Sequence, residues 1–215
     1  MQLKPFGVET RLVGELRSGS SGAMVAMRVI SAPAQHLALT NCAYCSRAQY
    51  SQFQLPRESY GMVSVNQQLI FKITPHDAVE NGSLALNAIQ RKCLRVSAGD
   101  SVTVDRYVLP SKCDLVMIHA ELDFVSKGKK QETIDSTIIS KELKKRFSGQ
   151  VLTINQKVVF EYLGTNFAFN VVSLLVAGQR EGQGNSGLLT EDTSWQFETP
   201  ANSGIKVGDC FLCHC

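Results

Sequence analysis

The chain has 215 residues and a mass of 23.6 kDa, with 44% hydrophobic and 19% charged side chains. That composition supports a buried core and excludes a disordered, charge-solvated chain; the length suits one large domain or two small ones. A net charge of +3 is too mild for general nucleic-acid binding, and no apolar run approaches the roughly 18 residues of a membrane span. Because Met1-Gln2-Leu3-Lys4-Pro5 lacks an apolar signal core, the expectation is a soluble cytoplasmic protein whose seven cysteines are reduced thiols, not a disulfide frame.

In chain order, residues 1–23 read as a flexible extension. They end in Ser18-Gly19-Ser20-Ser21-Gly22, and nothing before that is periodic; an edge strand at Leu12-Val13 is the alternative. Strand signals begin at Met24 to Ile30 and continue at Leu37-Ala38-Leu39, Gly61 to Val65 and Gln68 to Ile73. Short runs punctuated by Pro, Gly and Asn suggest a small barrel or sandwich. Asn81-Gly82-Ser83 has the form of a glycosylation acceptor but reads as a turn. A helix follows, with Leu86, Ile89, Cys93 and Val96 on one face, Asn87 as its cap and Gly99 as its stop. Ser101 to Leu109 is a strand, and Pro110-Ser111-Lys112 is the expected boundary, giving a first subdomain over 24–110 and a second over 111–208.

In the second part, Val116, Ile118, Ala120, Leu122 and Phe124 alternate as one face of a strand. After a charged loop, Lys127-Gly128-Lys129-Lys130, the spacing predicts a helix with Ile134, Ile138, Leu143 and Phe147 on its buried side. A hairpin turns at Gly164-Thr165-Asn166, between Val158 to Leu163 and Phe167 to Val176. Short strands at Leu188-Leu189 and Ser194 to Phe197 complete an α+β pattern, and residues 209–215 form a Cys-rich tail.

Several motifs tempt. Gly182-Gln183-Gly184-Asn185-Ser186-Gly187 matches a dinucleotide fingerprint, but strand-like residues follow where a helix N-terminus is needed to bind phosphate. A hairpin loop is the expected reading. No Walker A loop, G-x-x-x-x-G-K-[ST], occurs in the sequence. Cys42-x-x-Cys45 and Cys210-x-x-Cys213 could together supply four thiolates to zinc. Their separation and the absence of a glycine-turned knuckle favour buried thiols and a tail instead, so no metal site is assigned. Cys210 to His214 also has the C-x-x-C-H form of haem attachment, without a surrounding fold. His36, His76 and His119 are scattered, and no nucleophile sits beside a placed base, so no catalytic residue is assigned and the chain is not expected to be an enzyme.

Charge is the more useful feature. Residues 127–146 hold seven basic and three acidic side chains, a local balance of +4 in a chain of +3. Arg91, Lys92 and Arg95 are expected to project from the first helix. Such concentration suits either a solvated helix face or an electrostatic docking surface for an acidic partner. Nucleic acid is disfavoured because no aromatic residues interleave with the basic ones.

The segment from Gly82 to Asp100, with Gln90-Arg91-Lys92 at its centre, resembles the N-terminal domain of N-ethylmaleimide-sensitive fusion protein, the vesicle-fusing AAA ATPase. So do Leu39-Thr40-Asn41-Cys42-Ala43, Leu122-Asp123-Phe124 followed by Lys129-Lys130, and Gly149-Gln150 with the hairpin beyond it. The resemblance runs from about Leu37 to Lys206. It implies a double-psi β-barrel subdomain followed by a smaller α/β roll. It implies no cofactor in this chain, and ATP and Mg only in the ATPase modules of the full-length family protein, through which that protein forms a hexamer. It implies SNAP adaptor proteins, and through them SNARE complexes, as partners, at vesicle and Golgi membranes without direct insertion. Arg91, Lys92, Lys129 and Lys130 match family partner-binding positions, and Lys127 is an added neighbour; a groove between the subdomains lined by Arg91, Lys92, Lys129 and Lys130 is the expected docking site. Where the family commonly has Pro and Trp flanking Gln-Arg-Lys, this chain has Ile89 and Cys93. The related N domain of a valosin-containing-protein-like ATPase, which binds ubiquitin-pathway adaptors, is the nearest rival.

Overall fold

The computed structural model describes residues 24–54, 60–126, 131–180 and 182–208. The expected extension with its Leu12-Val13 alternative, the Cys-rich tail and the loop lysines Lys127, Lys129 and Lys130 lie outside them.

Six strands close into a barrel: β1 (Val25–Ser31), β2 (Ala43–Cys45), β3 (Gly61–Val65), β4 (Leu69–Pro75), β5 (Ser83–Leu86) and β6 (Ser101–Arg106). Their spatial order is β1-β5-β2-β4-β3-β6, with β6 returning to β1. β1 and β5 run parallel, as do β2 and β4, while the remaining pairs are antiparallel. Two interlocked parallel pairs inside a closed six-strand ring make this a double-psi barrel. Closure leaves no ladder edge unpaired. Its interior is filled by Met27, Val29, Val63, Phe71, Leu84 and Val104. Two short helices, α1 (Arg47–Phe53) and α2 (Ala88–Leu94), each add one buried apolar anchor to that core, Phe53 and Leu94.

The second part has a four-stranded sheet of order β10-β11-β7-β13, built from β7 (Leu115–Phe124), β10 (Lys157–Tyr162), β11 (Thr165–Val176) and β13 (Ser194–Glu198). Two small pairs flank it: β8 (Glu132–Asp135) with β14 (Ile205–Gly208), and β9 (Val151–Thr153) with β12 (Ser186–Leu188). The helix α3 (Ser136–Phe147) covers the sheet with Ile139, Leu143 and Phe147, all fully buried. Phe147 meets Phe169 edge-on at 6.0 Å, and Trp195 does so at 5.3 Å, so aromatic rings tie helix and sheet together. This is the expected α/β roll beside the barrel.

Several local readings change. Leu37-Ala38-Leu39 is not a strand but part of a 3-10 helix, Gln35–Leu39, because the Thr40 hydroxyl and amide both donate to the Leu37 carbonyl and close the turn. Leu86 belongs to β5, and the true helix is only Ala88–Leu94: Asn87 caps it as expected, but Arg95 turns left-handed at φ 57° and stops it before Gly99. The apparent helical face from Leu86 to Val96 therefore spans a strand end, a cap, a helix and a turn. Ile134 lies in β8, and Ile138 is 51% exposed while Ile139 takes the buried position. Val116 is 46% exposed because a bulge opposite Leu175 and Val176 reverses the alternation and sends Leu115 inward. The strands β2, β8, β9 and β14 and the helix α1 were too short or too polar to show in the pattern.

The glycine-rich loop leads into β12, not a helix, as expected. Gly187 is required there by packing: a Cβ would lie 2.6 Å from the Leu115 side chain and 2.9 Å from the Cys113 carbonyl. The hairpin between β10 and β11 turns one residue earlier than expected, at Leu163 and Gly164, with φ of 48° and 76°. This two-residue turn with positive φ at both positions suits Asn-Gly, yet Leu163 stands in it 86% exposed. Leu163→Asn is expected to stabilise the chain by about 0.5–1 kcal/mol in urea unfolding, because it relieves left-handed strain and removes no buried contact. A loss of stability would contradict this turn geometry.

Candidate functional site

The two parts meet where the chain leaves the 3-10 helix. Thr40 is followed by Asn41, which adopts φ 55° and is only 2% exposed. Asparagine tolerates this left-handed conformation better than most side chains, and the turn aims its amide away from the barrel. Asn41 Nδ2 donates to Gln150 Oε1 at 3.0 Å, and Gln156 Nε2 donates to Asn41 Oδ1 at 3.3 Å. Gln150 Nε2 donates to the Thr40 carbonyl at 3.0 Å, while Gln156 Oε1 accepts from the Thr153 amide at 3.0 Å. All three amides are buried. Beside them Met62 and Ile70, on the outside of the barrel, pack against Val151 with Tyr60, Tyr107, Leu109 and Leu188.

The helix α2 is fixed to the same segment. Asn87 and Gln90 form a reciprocal capping box with both bonds at 2.8 Å. Their spare donors reach back, Asn87 Nδ2 to the Ala38 carbonyl at 2.8 Å and Gln90 Nε2 to the Cys42 carbonyl at 3.2 Å. At the other end, Cys93 Sγ accepts from the Lys157 amide at 3.4 Å, which seats α2 on β10. The segments around Leu39-Thr40-Asn41 and Gln90-Arg91-Lys92, far apart in the chain, are thus one structural unit.

The basic residues divide. Contrary to the expectation that it projects from the surface, Arg91 is held: its Nη1 donates to the Leu86 carbonyl at 2.6 Å and the residue is half-buried. Lys92 and Arg95 are exposed, and Lys92 has no hydrogen-bond or ion-pair partner among the described residues. Next to this unit lies a groove of about 560 Å³ between the parts. Gln35, His36, Ala38 and Leu39 form one wall, and Val125, Val159, Glu161 and Asn166 the other. Its lining includes neither Arg91 nor Lys92. Alternation along β10 explains the second wall: Val158 and Phe160 face the sheet core, so Val159 and Glu161 face the barrel. The wall at Val125 runs in sequence toward the Lys127, Lys129 and Lys130 loop. Sequence reasoning missed the groove walls and the three clamping amides, although Asn41 and Gln150 lay in the segments that carried the resemblance.

The cysteines of the first pair point to different places. Cys45 is wholly buried in the barrel core, which pushes its thiol up to about 12, and Cys42 packs with Tyr44, Val79 and Ala85. Burial also raises Cys42, whose thiol donates to the Thr40 carbonyl. Protonated thiols in separate clusters are poor joint metal donors; Cys210 and Cys213 lie outside the described residues.

Comparison with known proteins gives a consistent picture. Over 192 residues, 88% of its length, the chain is 42% identical to the vesicle-fusing ATPase of Arabidopsis thaliana and covers 26% of that protein. It is 24% identical over 194 residues to the vesicular-fusion protein sec18 of Schizosaccharomyces pombe, covering 84% of this chain and 24% of that one. The chain thus spans about a quarter of the length of these curated relatives. The family model of Cell division protein 48 (CDC48), domain 2, matches residues 133–203.

Two outcomes follow from the geometry. Asn41→Ala leaves the buried Gln150 and Gln156 amides short of partners and is expected to cost about 1–3 kcal/mol in denaturant unfolding. Arg91→Glu should lower the melting temperature because it breaks the guanidinium bond to the Leu86 carbonyl, which then keeps only the Ala32 amide as donor, and sets a carboxylate beside that oxygen, whereas Lys92→Glu should leave it unchanged; equal effects would mean that Arg91 is as free as Lys92.

Proposed function

Because the chain is an N-terminal domain of the vesicle-fusing ATPase type, with a double-psi barrel and an α/β roll, we propose that it is a non-catalytic adaptor-binding domain. It docks on SNAP adaptor proteins bound to SNARE complexes, and the ATPase modules of the complete protein use ATP to pull those complexes apart. It works at the cytoplasmic face of vesicle and Golgi membranes as a peripheral protein; no helix among the described residues is long and apolar enough to cross a membrane.

The observation that carries this reading is the division of labour on α2. Asn87, Gln90 and Arg91 are consumed by structural hydrogen bonds, while Lys92 is held on a rigid helix, exposed and unpaired among the described residues. A cation fixed by its backbone loses less entropy when it meets a carboxylate than one on a mobile segment. Lys127, Lys129 and Lys130 follow Val125, which lines the groove, by two to five positions in sequence. Arg91 contributes to the field of this surface through its charge while its guanidinium anchors the helix. Exposed ion pairs contribute only about 0–1 kcal/mol each, so one domain binds weakly and several copies in a hexamer supply the affinity. The match of residues 133–203 to the CDC48 domain model favours a second reading, an N domain that binds ubiquitin-pathway adaptors through the same groove.

Capture of a SNAP–SNARE complex by this chain, fused to a hexameric scaffold, is expected to fall as salt rises from 50 to about 300 mM, since screening shortens the reach of exposed charges. Lys92→Glu combined with Lys130→Glu should reduce capture about tenfold without changing the melting temperature. Capture that ignores both salt and the double reversal would reject the docking assignment.

A further inference from the structure

The outer face of α3 is the largest described concentration of positive charge that the groove does not use. Residues advance about 100° per position around a helix. The buried Ile139, Leu143 and Phe147 cluster on one side, and Ile138, Lys141 and Lys145 therefore sit together on the opposite side. All three are exposed, Ile138 by 51%. Lys144 flanks them. None of these lysines has an ion-pair partner among the described residues, whereas Arg146 is held by Glu142 at 2.6 Å. The one acidic residue of the helix is thereby spent on the one arginine, and the lysines remain uncompensated.

Helix electrostatics account for part of this pattern only. Cations in the last turn oppose the partial negative charge of the C-terminus, which suits Lys144 and Lys145. Lys141 lies a turn and a half from that end, and an exposed isoleucine gains nothing from the dipole. A lone apolar side chain also gives too little buried area for insertion at a lipid interface. What the face does match is another helix. Lys141 and Lys145 stand at i and i+4, about 6 Å apart along the axis, the spacing at which carboxylates on a facing helix also recur. Ile138, one turn before Lys141, offers an apolar contact at the end of the row.

We propose that the Ile138–Lys141–Lys145 face of α3 is a second contact for the acidic adaptor, taking a helix that carries carboxylates one turn apart and an apolar side chain beyond them. The inference rests on the adaptor reading given above but uses a different element, so the two can fail separately. Each domain then grips its partner at two places, on α2 and on α3, which fixes orientation as well as attraction.

Lysine acetylation read by mass spectrometry tests this, using the 215-residue chain on its hexameric scaffold with and without a SNAP–SNARE complex. Protection of Lys141 and Lys145 together with Lys92 is expected. Lys141→Glu with Lys145→Glu should weaken capture about tenfold at an unchanged melting temperature, as two exposed pairs of two- to fivefold each would give. Protection of Lys92 without Lys141 and Lys145 overturns the α3 contact and leaves the adaptor reading standing. Protection of no lysine overturns both. Protection of Lys141 and Lys145 by phosphatidylserine vesicles but not by the complex overturns the protein contact in favour of a membrane one.

Discussion

Asn41, Gln150 and Gln156 are buried amides whose hydrogen-bonding capacity is met only when barrel and sheet are docked in one arrangement. Every polar atom left unmade there would cost about 1–3 kcal/mol. Each bond that forms returns only about 1 kcal/mol net, because water offers the same bonds in the separated state. The amides therefore select an orientation more than they supply adhesion. Adhesion comes from the apolar contact beside them, where Met62, Ile70 and Val151 are almost fully buried, and full burial of such side chains contributes about 1.5–3 kcal/mol apiece. Sliding one part over the other would keep much of that contact and lose the amide pairing.

This constraint explains why the functional surface borders the clamp. The turn that delivers Asn41 also supplies the Ala38 and Cys42 carbonyls to which Asn87 and Gln90 bind. α2 is thereby fixed relative to both parts, with Cys93 meeting β10 on its far side. The groove walls inherit the same fixed geometry, since the 3-10 helix and β10 form its two sides. A weak, charge-led interaction gains most from such rigidity, because little conformational freedom remains to be lost on contact. Buried amides also carry no charge to titrate, so the clamp holds over a wide pH range while exposed cations outside it respond to salt.

Parts of this architecture were legible and parts were not. Long alternating strands announced themselves: β7 over Ile118 to Phe124 and the β10–β11 hairpin follow the pattern closely. So did the capping residue Asn87, whose chemistry is local. The misreadings share a cause, which is that apolar spacing does not say which element owns a residue. Leu86 and Ile89 fit one helical face until the parallel pairing of β5 with β1 claims Leu86. Ile138 and Ile139 are interchangeable on paper, and only the packing of α3 on the sheet decides which is buried. Val116 obeys the alternation until a bulge on its strand shifts the register. Arg91 reads as a surface cation because nothing in the local pattern shows that its guanidinium folds back onto the Leu86 carbonyl.

By itself the sequence determined the composition-level facts and the local ones: an apolar fraction sufficient for a core, charge gathered over residues 127–146, a capped helix bearing Gln-Arg-Lys, and a family resemblance strong enough to anticipate a barrel and a roll. Tertiary structure alone decided that Asn41 meets Gln150 and Gln156 across more than a hundred residues, that Arg91 is an anchor while Lys92 is exposed without a partner among the described residues, and that Glu161 faces His36 across a groove. The physical reason is range. Caps, turns and periodicity act within one or two helical turns of chain, whereas satisfying a buried polar group or removing a cation's partner depends on which distant segments the closed barrel and its sheet bring together.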